Sequence, residues 1–219
     1  MKNLNQAPAF ARVVFAALAG FASLIMLATP AYAASAADAS QNSPQDMISD
    51  VSTRLFAALD AHRAALRKNP EAINPIVDQI LLPHFDAEYA TQLVLARHWS
   101  DASAEQRQKF IEAFHSALLR TYGSALTDVT ADRLRVLPYR GDAGAEQATV
   151  HTEVTRDSGS VVHVDYRLRK TPEGWKAFDV IIEGISYVRS YRTDLDSEIA
   201  AKGLDAVIAR MQKQTLGSS

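Results

Sequence analysis

The spacing of apolar residues changes from helical to strand-like near residue 130, and this change constrains the fold more than any other feature. Upstream, four large side chains lie at successive i,i+4 steps and therefore share one stripe of a helix. They are Phe110, Phe114, Leu118 and Tyr122. Downstream, turn clusters separate four short, β-branched or aromatic segments that predict strands. These run over 134–139, 148–156, 161–169 and 175–182.

Further helices are predicted on both sides of the strands. Helical spacing covers about 46–68 and 71–82, and Asp86 is a plausible N-cap for a third helix that runs through Trp99. Ser103 and Gln106 form a capping-box pattern at the start of the stripe helix. A long helical pattern follows Ser186 and stops at Gly203, before a short amphipathic helix. Strands grouped after helices favour an α+β domain over a doubly wound one.

The four strands predict a mainly antiparallel sheet that is apolar on one face only. One parity carries Ala148, Val150, Val162, Val164, Tyr166 and Leu168, and the other carries His151, Glu153, His163, Asp165, Arg167 and Arg169. Helices must cover the first face. The expected architecture is a helical layer in the concave side of a four-stranded sheet, similar to cystatin-like or nuclear-transport-factor-like folds, with an apolar cavity between the layers. A fully packed core would give the same pattern.

The N-terminus has the three-part pattern of a secretory signal peptide. Lys2 and Arg12 precede an uncharged apolar run, and Ala31-Tyr32-Ala33 supplies a small-x-small cleavage site. We expect cleavage after Ala33, with Ala37 as a second option, and therefore export to the periplasm. Residues 34–45 read as a flexible leader, 46–214 as one domain and 215–219 as a disordered tail.

Cysteine content and charge exclude several classes. The chain has no cysteine, so it has neither a lipoprotein anchor nor a disulfide. Removing 1–33 takes away two basic residues and no acidic one, which leaves 21 basic against 25 acidic residues and a net charge of −4. That balance does not predict nucleic-acid binding, which usually shows a basic footprint.

Several ordered motifs resemble the MlaC, or toluene-tolerance, family of periplasmic phospholipid-binding proteins. The C-terminal ones are Trp175, Phe178-Asp179-Val180, Glu183-Gly184-Ile185-Ser186, Arg192 and Lys202-Gly203-Leu204. The central ones are His84-Phe85-Asp86, Trp99, Gln106-Arg107, Phe110, Ala113-Phe114, Thr121-Tyr122-Gly123, Val164-Asp165-Tyr166 and Arg169-Lys170. The resemblance covers about 47–211. Ala96 departs from it, because we expect glycine there in the family.

The resemblance implies a soluble carrier without a catalytic step or cofactor, whose cargo is a phospholipid. Its partners would be an outer-membrane lipoprotein–porin complex and an inner-membrane ABC transporter with an MCE-domain ring. Candidate lipid-binding residues come from the stripe, the apolar sheet face and the strand-to-helix junction, although any one of them can instead be ordinary core. They are Phe110, Phe114, Leu118, Tyr122, Val150, Val164, Tyr166, Val180, Ile182, Ile185, Tyr187 and Val188.

Basic residues and one glycine complete the candidate site. Gly184 supplies backbone freedom at the junction, and we expect it to act as a hinge at the cavity mouth; the alternative is a plain tight turn. Five basic residues are candidates for contact with a lipid phosphate or an acidic partner, although a solvated sheet face is the default for each. They are Arg167, Arg169, Lys170, Arg189 and Arg192.

Two other functions stay open at this stage. Asp165, Asp179 and Glu183 would form an acid/base group if the fold were an isomerase-like cone, although Asp179 is more simply a helix cap or an arginine partner. The chain would otherwise be a periplasmic interaction protein with a packed core and no lipid. His151 and His163 have the same parity on neighbouring strands, but they lack the spacing of a zinc site, so we predict no metal.

Overall fold

A computed structural model describes residues 43–213, apart from 128, 143 and 157. The side chains of residues 67, 70 and 122–127 are also outside that description. The predicted signal peptide over 1–33, the leader as far as residue 42, the tail over 215–219 and the Tyr122 side chain therefore lie outside the described residues. The helices, strands, clusters and contacts of the fold are those of these described residues.

Helix α1, Pro44–Lys68, begins two residues before its predicted start. Ser43 is its N-cap, because its Oγ accepts a hydrogen bond from Asp46 N at 3.0 Å. The prediction of one continuous helix over 71–82 is wrong. The segment forms a 3-10 helix, Pro70–Ile73, followed by α2, Asn74–Ile80, which has a proline in its first turn.

Helix α3, Ala87–Leu95, begins as predicted, because Asp86 Oδ1 accepts a hydrogen bond from Tyr89 N at 3.0 Å. It ends four residues before the predicted Trp99. Ala96 has φ 45°, a left-handed value that breaks the helix and is unusual for a residue with a Cβ. The short helix α4, His98–Asp101, follows.

Helix α5, Ala104–Thr127, carries the predicted stripe. Its predicted capping box is confirmed. Gln106 N donates to Ser103 Oγ at 3.1 Å, and Ser103 N donates to Gln106 Oε1 at 3.0 Å.

The sheet has five antiparallel strands in the order β1-β2-β3-β4-β5, rather than the four predicted. They are β1 Leu134–Val136, β2 Gln147–Thr155, β3 Val161–Thr171, β4 Gly174–Ile182 and β5 Ile185–Ser186. The unpredicted strand is β5, which is too short to show a period. Strand β1 ends before the predicted Tyr139, because Pro138 has no N–H to extend the ladder.

A β-bulge in β4 decides which side chains face the helices. Leu168 pairs with Ala177, but Arg167 pairs with Asp179, so Phe178 is the extra residue. The bulge keeps Ala177 and Val180 on the same face. Asp179 is on the opposite face with Arg167.

Two helices follow the sheet in the described part of the chain. Helix α6, Tyr187–Lys202, has Ser186 as its N-cap, and α7, Leu204–Lys213, follows Gly203. Gly203 has φ 82°, which explains the predicted stop, since glycine tolerates this conformation.

Buried apolar side chains form three separate clusters. The sheet cluster consists of Ile48, Ala148, Val150, Leu168, Trp175 and Ala177. The helical cluster draws on α3, α5, α6 and α7, and includes Leu95, Phe110, Phe114, Tyr191, Leu195, Val207 and Met211. The α1 cluster includes Leu55, Phe56, Leu59, Leu66, Ile73 and Val77. The α+β class is confirmed, whereas an enclosed cavity between the layers stays a prediction.

Candidate functional site

One end of the apolar sheet face is sealed. The paired residues Leu168 and Ala177 are only 0% and 8% exposed. Val150 on β2 also has no exposed surface, and Met47 and Ile48 of α1 pack against this group. We call this region the closed end.

The same face loses its cover along β4 toward the β4–β5 hairpin, although Val162, near the same end of β3, is buried. The next pairs, Tyr166 with Val180 and then Val164 with Ile182, are half-buried. Ile185 pairs directly with Ile182, so it shares this face, yet it is 62% exposed. We call this region the open end.

Three open-end residues also stand apart from the buried clusters. Val164, Val180 and Ile182 are neither members of any cluster formed by described residues nor partly buried neighbours of one. A single-domain core is usually contiguous. The open end is therefore an apolar surface that the described side chains only partly cover.

Tyr166 lies between the two ends and is the one polar group among these pairs. Its ring packs against the sheet cluster, and burial raises the pKa of its phenol. A ligand that entered from the open end would meet this hydroxyl first among the polar groups of the β3–β4 pairs on this face.

A tight hairpin forms the rim of the open end. Glu183 and Gly184 have φ 49° and 79°, and positive values at both central residues are typical of a type I′ turn. Glu183 N donates to His163 O at 3.0 Å, and His163 N donates to a Glu183 carboxylate oxygen at 2.6 Å. Gly184 is therefore in a conformation that disfavours any other residue, and its role as a hinge stays a prediction.

Asp179 joins the strand behind this hairpin to helix α6. Its side chain is 1% exposed, and its Oδ2 accepts a hydrogen bond from Ser186 Oγ at 2.6 Å. Its Oδ1 accepts one from Val188 N at 3.1 Å, and Arg167 Nη1 lies 3.8 Å from Oδ2. The interpretation of Asp179 as a cap and arginine partner is confirmed.

Arg167 and Arg169 make structural contacts. Arg167 lies over the Phe178 ring at 4.9 Å, and Arg169 lies over Tyr89 at 4.3 Å. Arg169 Nε also donates to Asp86 Oδ2 at 2.7 Å. These two guanidinium groups hold strand β3 to its neighbours and are half-exposed. Lys170, Arg189 and Arg192 are exposed, and none of the three has an ion pair with a described residue.

Arg192 borders a polar surface depression of about 370 Å³, together with Arg97, Thr193, Asp196 and Ser197. Asp196 is occupied by other donors, because Arg97 Nη2 and His98 Nε2 each lie 2.9 Å from one of its oxygens. The depression is polar and lies on the α3–α6 side of the molecule, so it is separate from the apolar face.

The stripe residues divide into enclosed and partly covered ones. Phe110 and Phe114 stack at 5.6 Å, and Phe114 meets Tyr191 edge-on at 5.1 Å within the helical cluster. Phe110 has no exposed surface, whereas Leu118 is half-buried. Tyr187 and Val188 are half-buried too, and pack against the same cluster. Phe110 and Val150 are thus enclosed by other side chains of the protein. Contact with a ligand stays a prediction for every candidate lipid-binding residue.

The acid/base candidates do not lie on the apolar face. Asp165 and Asp179 are on the opposite face of the sheet, and Glu183 lies in the β4–β5 turn. Asp165 is paired with His151 at 2.8 Å, and the other two have the partners given above. The geometry does not support a catalytic group in a cone-shaped pocket. Within residues 43–213, as far as described, no group of three or more His, Asp or Glu side chains has a metal-binding arrangement.

The fold and site define a class: an α+β domain whose helices pack on an antiparallel sheet with an apolar face open at one edge. A family model described as "MlaC protein" matches residues 49–213. The chain belongs to the MlaC family. None of the described helices combines the length and apolarity that a membrane crossing requires.

Two relatives of the chain agree with its membership of this family. The chain is 30% identical over 163 residues to the toluene tolerance protein ttg2D of Pseudomonas putida, covering 74% of this chain and 75% of the relative. It is 23% identical over 176 residues to the intermembrane phospholipid transport system binding protein MlaC of Haemophilus influenzae, covering 79% and 82% respectively.

A solved structure is similar as well. The phospholipid-binding protein from Ralstonia solanacearum, in complex with a phospholipid, has a TM-score of 0.70 and 29% identity to this chain. The similarity covers 77% of this chain and 98% of the Ralstonia protein. The fold of the described residues is therefore one on which a phospholipid has been seen bound.

Proposed function

We propose that the chain is a periplasmic phospholipid carrier that covers acyl chains with the apolar sheet face and has no catalytic step. The observation that carries this is the loss of burial along that face, from Leu168 at 0% exposure to Ile185 at 62%. A sealed core would not leave its last apolar pairs partly covered. The phospholipid complex of the Ralstonia relative supports the same cargo.

The energetics explain why a carrier is needed. A diacyl lipid exposes roughly 30 methylenes, and each one contributes about 0.8 kcal/mol when it is buried. Free transfer through water is therefore prohibitively unfavourable. The headgroup can remain in water, which fits a face whose β3–β4 pairs are apolar except for Tyr166.

In this proposal the tails contact the partly covered members of the predicted set, and the fully enclosed members support them from behind. The partly covered members are Leu118, Val164, Tyr166, Val180, Ile182, Ile185, Tyr187 and Val188. Gly184 would be the hinge of the rim.

We place delivery in the periplasm, after cleavage of the signal peptide at Ala33. Lipid would pass between an outer-membrane lipoprotein–porin complex and an inner-membrane ABC transporter with an MCE-domain ring. The name of the Haemophilus relative, which places it in an intermembrane system, supports a role of this kind. Arg189, in the first turn of α6 next to the rim, is the exposed basic residue that we propose to contact a headgroup or a partner. Lys170, on the closed-end side of β3, and Arg192, at the polar depression, are proposed to contact a partner. Arg167 and Arg169 instead lie against Asp179 and Asp86.

Native mass spectrometry of the mature protein from a periplasmic extract, with lipid extraction of the same sample, tests the proposal. We expect near-stoichiometric bound phospholipid. Recovery of lipid-free protein that also takes up none from vesicles would contradict it. That result would favour the interaction protein with a packed core.

A second experiment tests the surface assignment. Arg192→Glu with Arg189→Glu should weaken binding to the transporter ring without changing lipid content. The matched control is Lys109→Glu, on an exposed position of α5 where the lysine pairs only with Glu105 of its own helix. Equal ring binding by the double variant and the wild type would remove these residues from the interface.

A further inference from the structure

The negative charge of Asp179, which contacts the start of α6, is balanced in an unusual way. Its carboxylate is buried, and burial of a charge is costly unless donors surround it. The nearest guanidinium, from Arg167, is 3.8 Å away and outside hydrogen-bonding range. The close donors are the Ser186 hydroxyl and the Val188 amide.

Ser186 links this carboxylate to the helix itself. Its Oγ donates to Asp179 and also accepts from Arg189 N at 3.1 Å, as the N-cap of α6. The N-terminus of a helix carries a partial positive charge that favours an anion there. The carboxylate is thus held by the first turn of α6, and that turn is held to β4 by the carboxylate.

Asp86 gives a comparison inside the same molecule. It also accepts from a backbone N–H at a helix start and also meets an arginine of β3 that lies over an aromatic ring. Its arginine, however, donates at 2.7 Å. Asp86 keeps a close ion pair if the helix start loosens, whereas Asp179 has no such close partner.

The position of the Asp179 contact relates it to the open end. Asp179 precedes Val180 and Ile182 of the apolar face, and Ser186 follows Ile185 on the rim. The residues at the start of α6, Tyr187 and Val188, pack against the helical cluster. Any movement that separates this cluster from β4 at the rim must break the contacts to Asp179.

We propose that Asp179 is a positioning residue that sets the rate of lipid entry and exit, by holding the start of α6 against β4. This rests on the proposed function, since it concerns the same open end. Weakening the contact should speed exchange of the lipid while leaving its stoichiometry unchanged.

The test compares Asp179→Asn and Ser186→Ala with Asp86→Asn as the matched control. Each full-length mature protein is loaded with a fluorescent phosphatidylethanolamine, and its transfer to phosphatidylglycerol–phosphatidylcholine vesicles is timed. We expect Asp179→Asn to transfer about tenfold faster, as for the loss of one charge-assisted hydrogen bond. Ser186→Ala should be several-fold faster, and Ser186→Thr, which retains the hydroxyl, should be close to wild type.

Amide hydrogen exchange over residues 185–190 is read in the same variants without lipid. Faster exchange in Asp179→Asn and Ser186→Ala, but not in Asp86→Asn, supports the contact as the holding element. Faster amide exchange with unchanged lipid transfer would overturn the rate-setting role, and unchanged amide exchange would overturn the contact itself. If Asp179→Asn does not fold, the lipid transfer rate and the amide exchange of Ser186→Ala decide the test. A wild-type protein that takes up no lipid would contradict the carrier function instead, and the amide measurement would still report on the contact.

Discussion

The closed end and the open end of the sheet are built from the same kind of residue but have different surroundings. At the closed end, the N-terminal part of α1 lies over Leu168 and Ala177, and no apolar surface is left. At the open end, the sheet finishes in the two-residue strand β5, and Ile185 is exposed. What covers an apolar strand residue, more than its identity, therefore decides whether it is buried core or accessible surface.

The largest effect should come from shortening a side chain at the closed end. Leu168→Ala removes a fully enclosed side chain and should lower the free energy of unfolding by about 3 kcal/mol. Val164→Ala, on the same strand but half-buried, should cost less than half as much. Urea unfolding of both proteins without lipid measures the difference, and equal losses would show that the two ends are packed alike.

Filling the open end should reduce lipid binding more than stability. Ile182→Trp places a large ring where a tail would lie, and we expect about tenfold weaker phospholipid uptake, equivalent to ~1.4 kcal/mol. The control is Ala148→Trp at the closed end, which should instead destabilise the fold by about 3 kcal/mol through overpacking. Uptake from vesicles and thermal unfolding separate the two effects; unaltered uptake by Ile182→Trp would move the tails elsewhere.

A stabilising change away from both ends tests whether the open end merely reflects low global stability. Ala96 has a left-handed φ that glycine adopts without strain, so Ala96→Gly should stabilise the protein by about 1 kcal/mol. Thermal unfolding should shift upward while the rate of lipid transfer stays the same. A slower transfer would mean that opening is coupled to global stability.

The smallest effect concerns pH at the closed end. His84 precedes Phe85, which packs against the sheet cluster at that end. The pKa of His84 is lowered, first by burial and then by the Arg54 guanidinium. The unfolded chain therefore binds a proton more readily than the folded one. Stability should fall as the pH drops below the ordinary histidine value of 6.5, and this loss should level off below the lowered pKa.

His84→Gln should flatten this slope. Chemical unfolding of wild type and variant at pH 7.5 and pH 5.5 measures it, and lipid transfer from the open end should show no matching change. Identical slopes in the two proteins would assign the pH dependence to other groups.

Local chemistry made much of the fold predictable. The caps at Asp86 and Ser103, and the stop at Gly203, are local signals, and each is where the sequence indicated. The helix predicted through Trp99 was wrong because Ala96 adopts a conformation that its side chain disfavours. Strand β5 was missed because two residues have no measurable period.

The site was harder to predict than the fold. Alternation placed Val164, Tyr166, Val180 and Ile182 on one face, but burial of that face depends on where α1 stops covering it, which no local pattern encodes. The roles of Arg167 and Arg169 likewise depend on carboxylates in other elements. A carboxylate inside the apolar run 177–182 was the signal for Asp179, and it indicated a helix cap or an arginine partner but not the particular donors Ser186 and Val188.

The bulge at Phe178 sets which face of the sheet each later side chain of β4 occupies. Before it, Trp175 and Ala177 face the helices, and after it Val180 and Ile182 do. Regular pairing of the same residues without the bulge would invert every later side chain, sending Asp179 into the apolar interior and Val180 out of it. Homologous chains should therefore either keep the bulge or lose it together with one residue of the strand, since both arrangements leave Val180 and Ile182 on the apolar face.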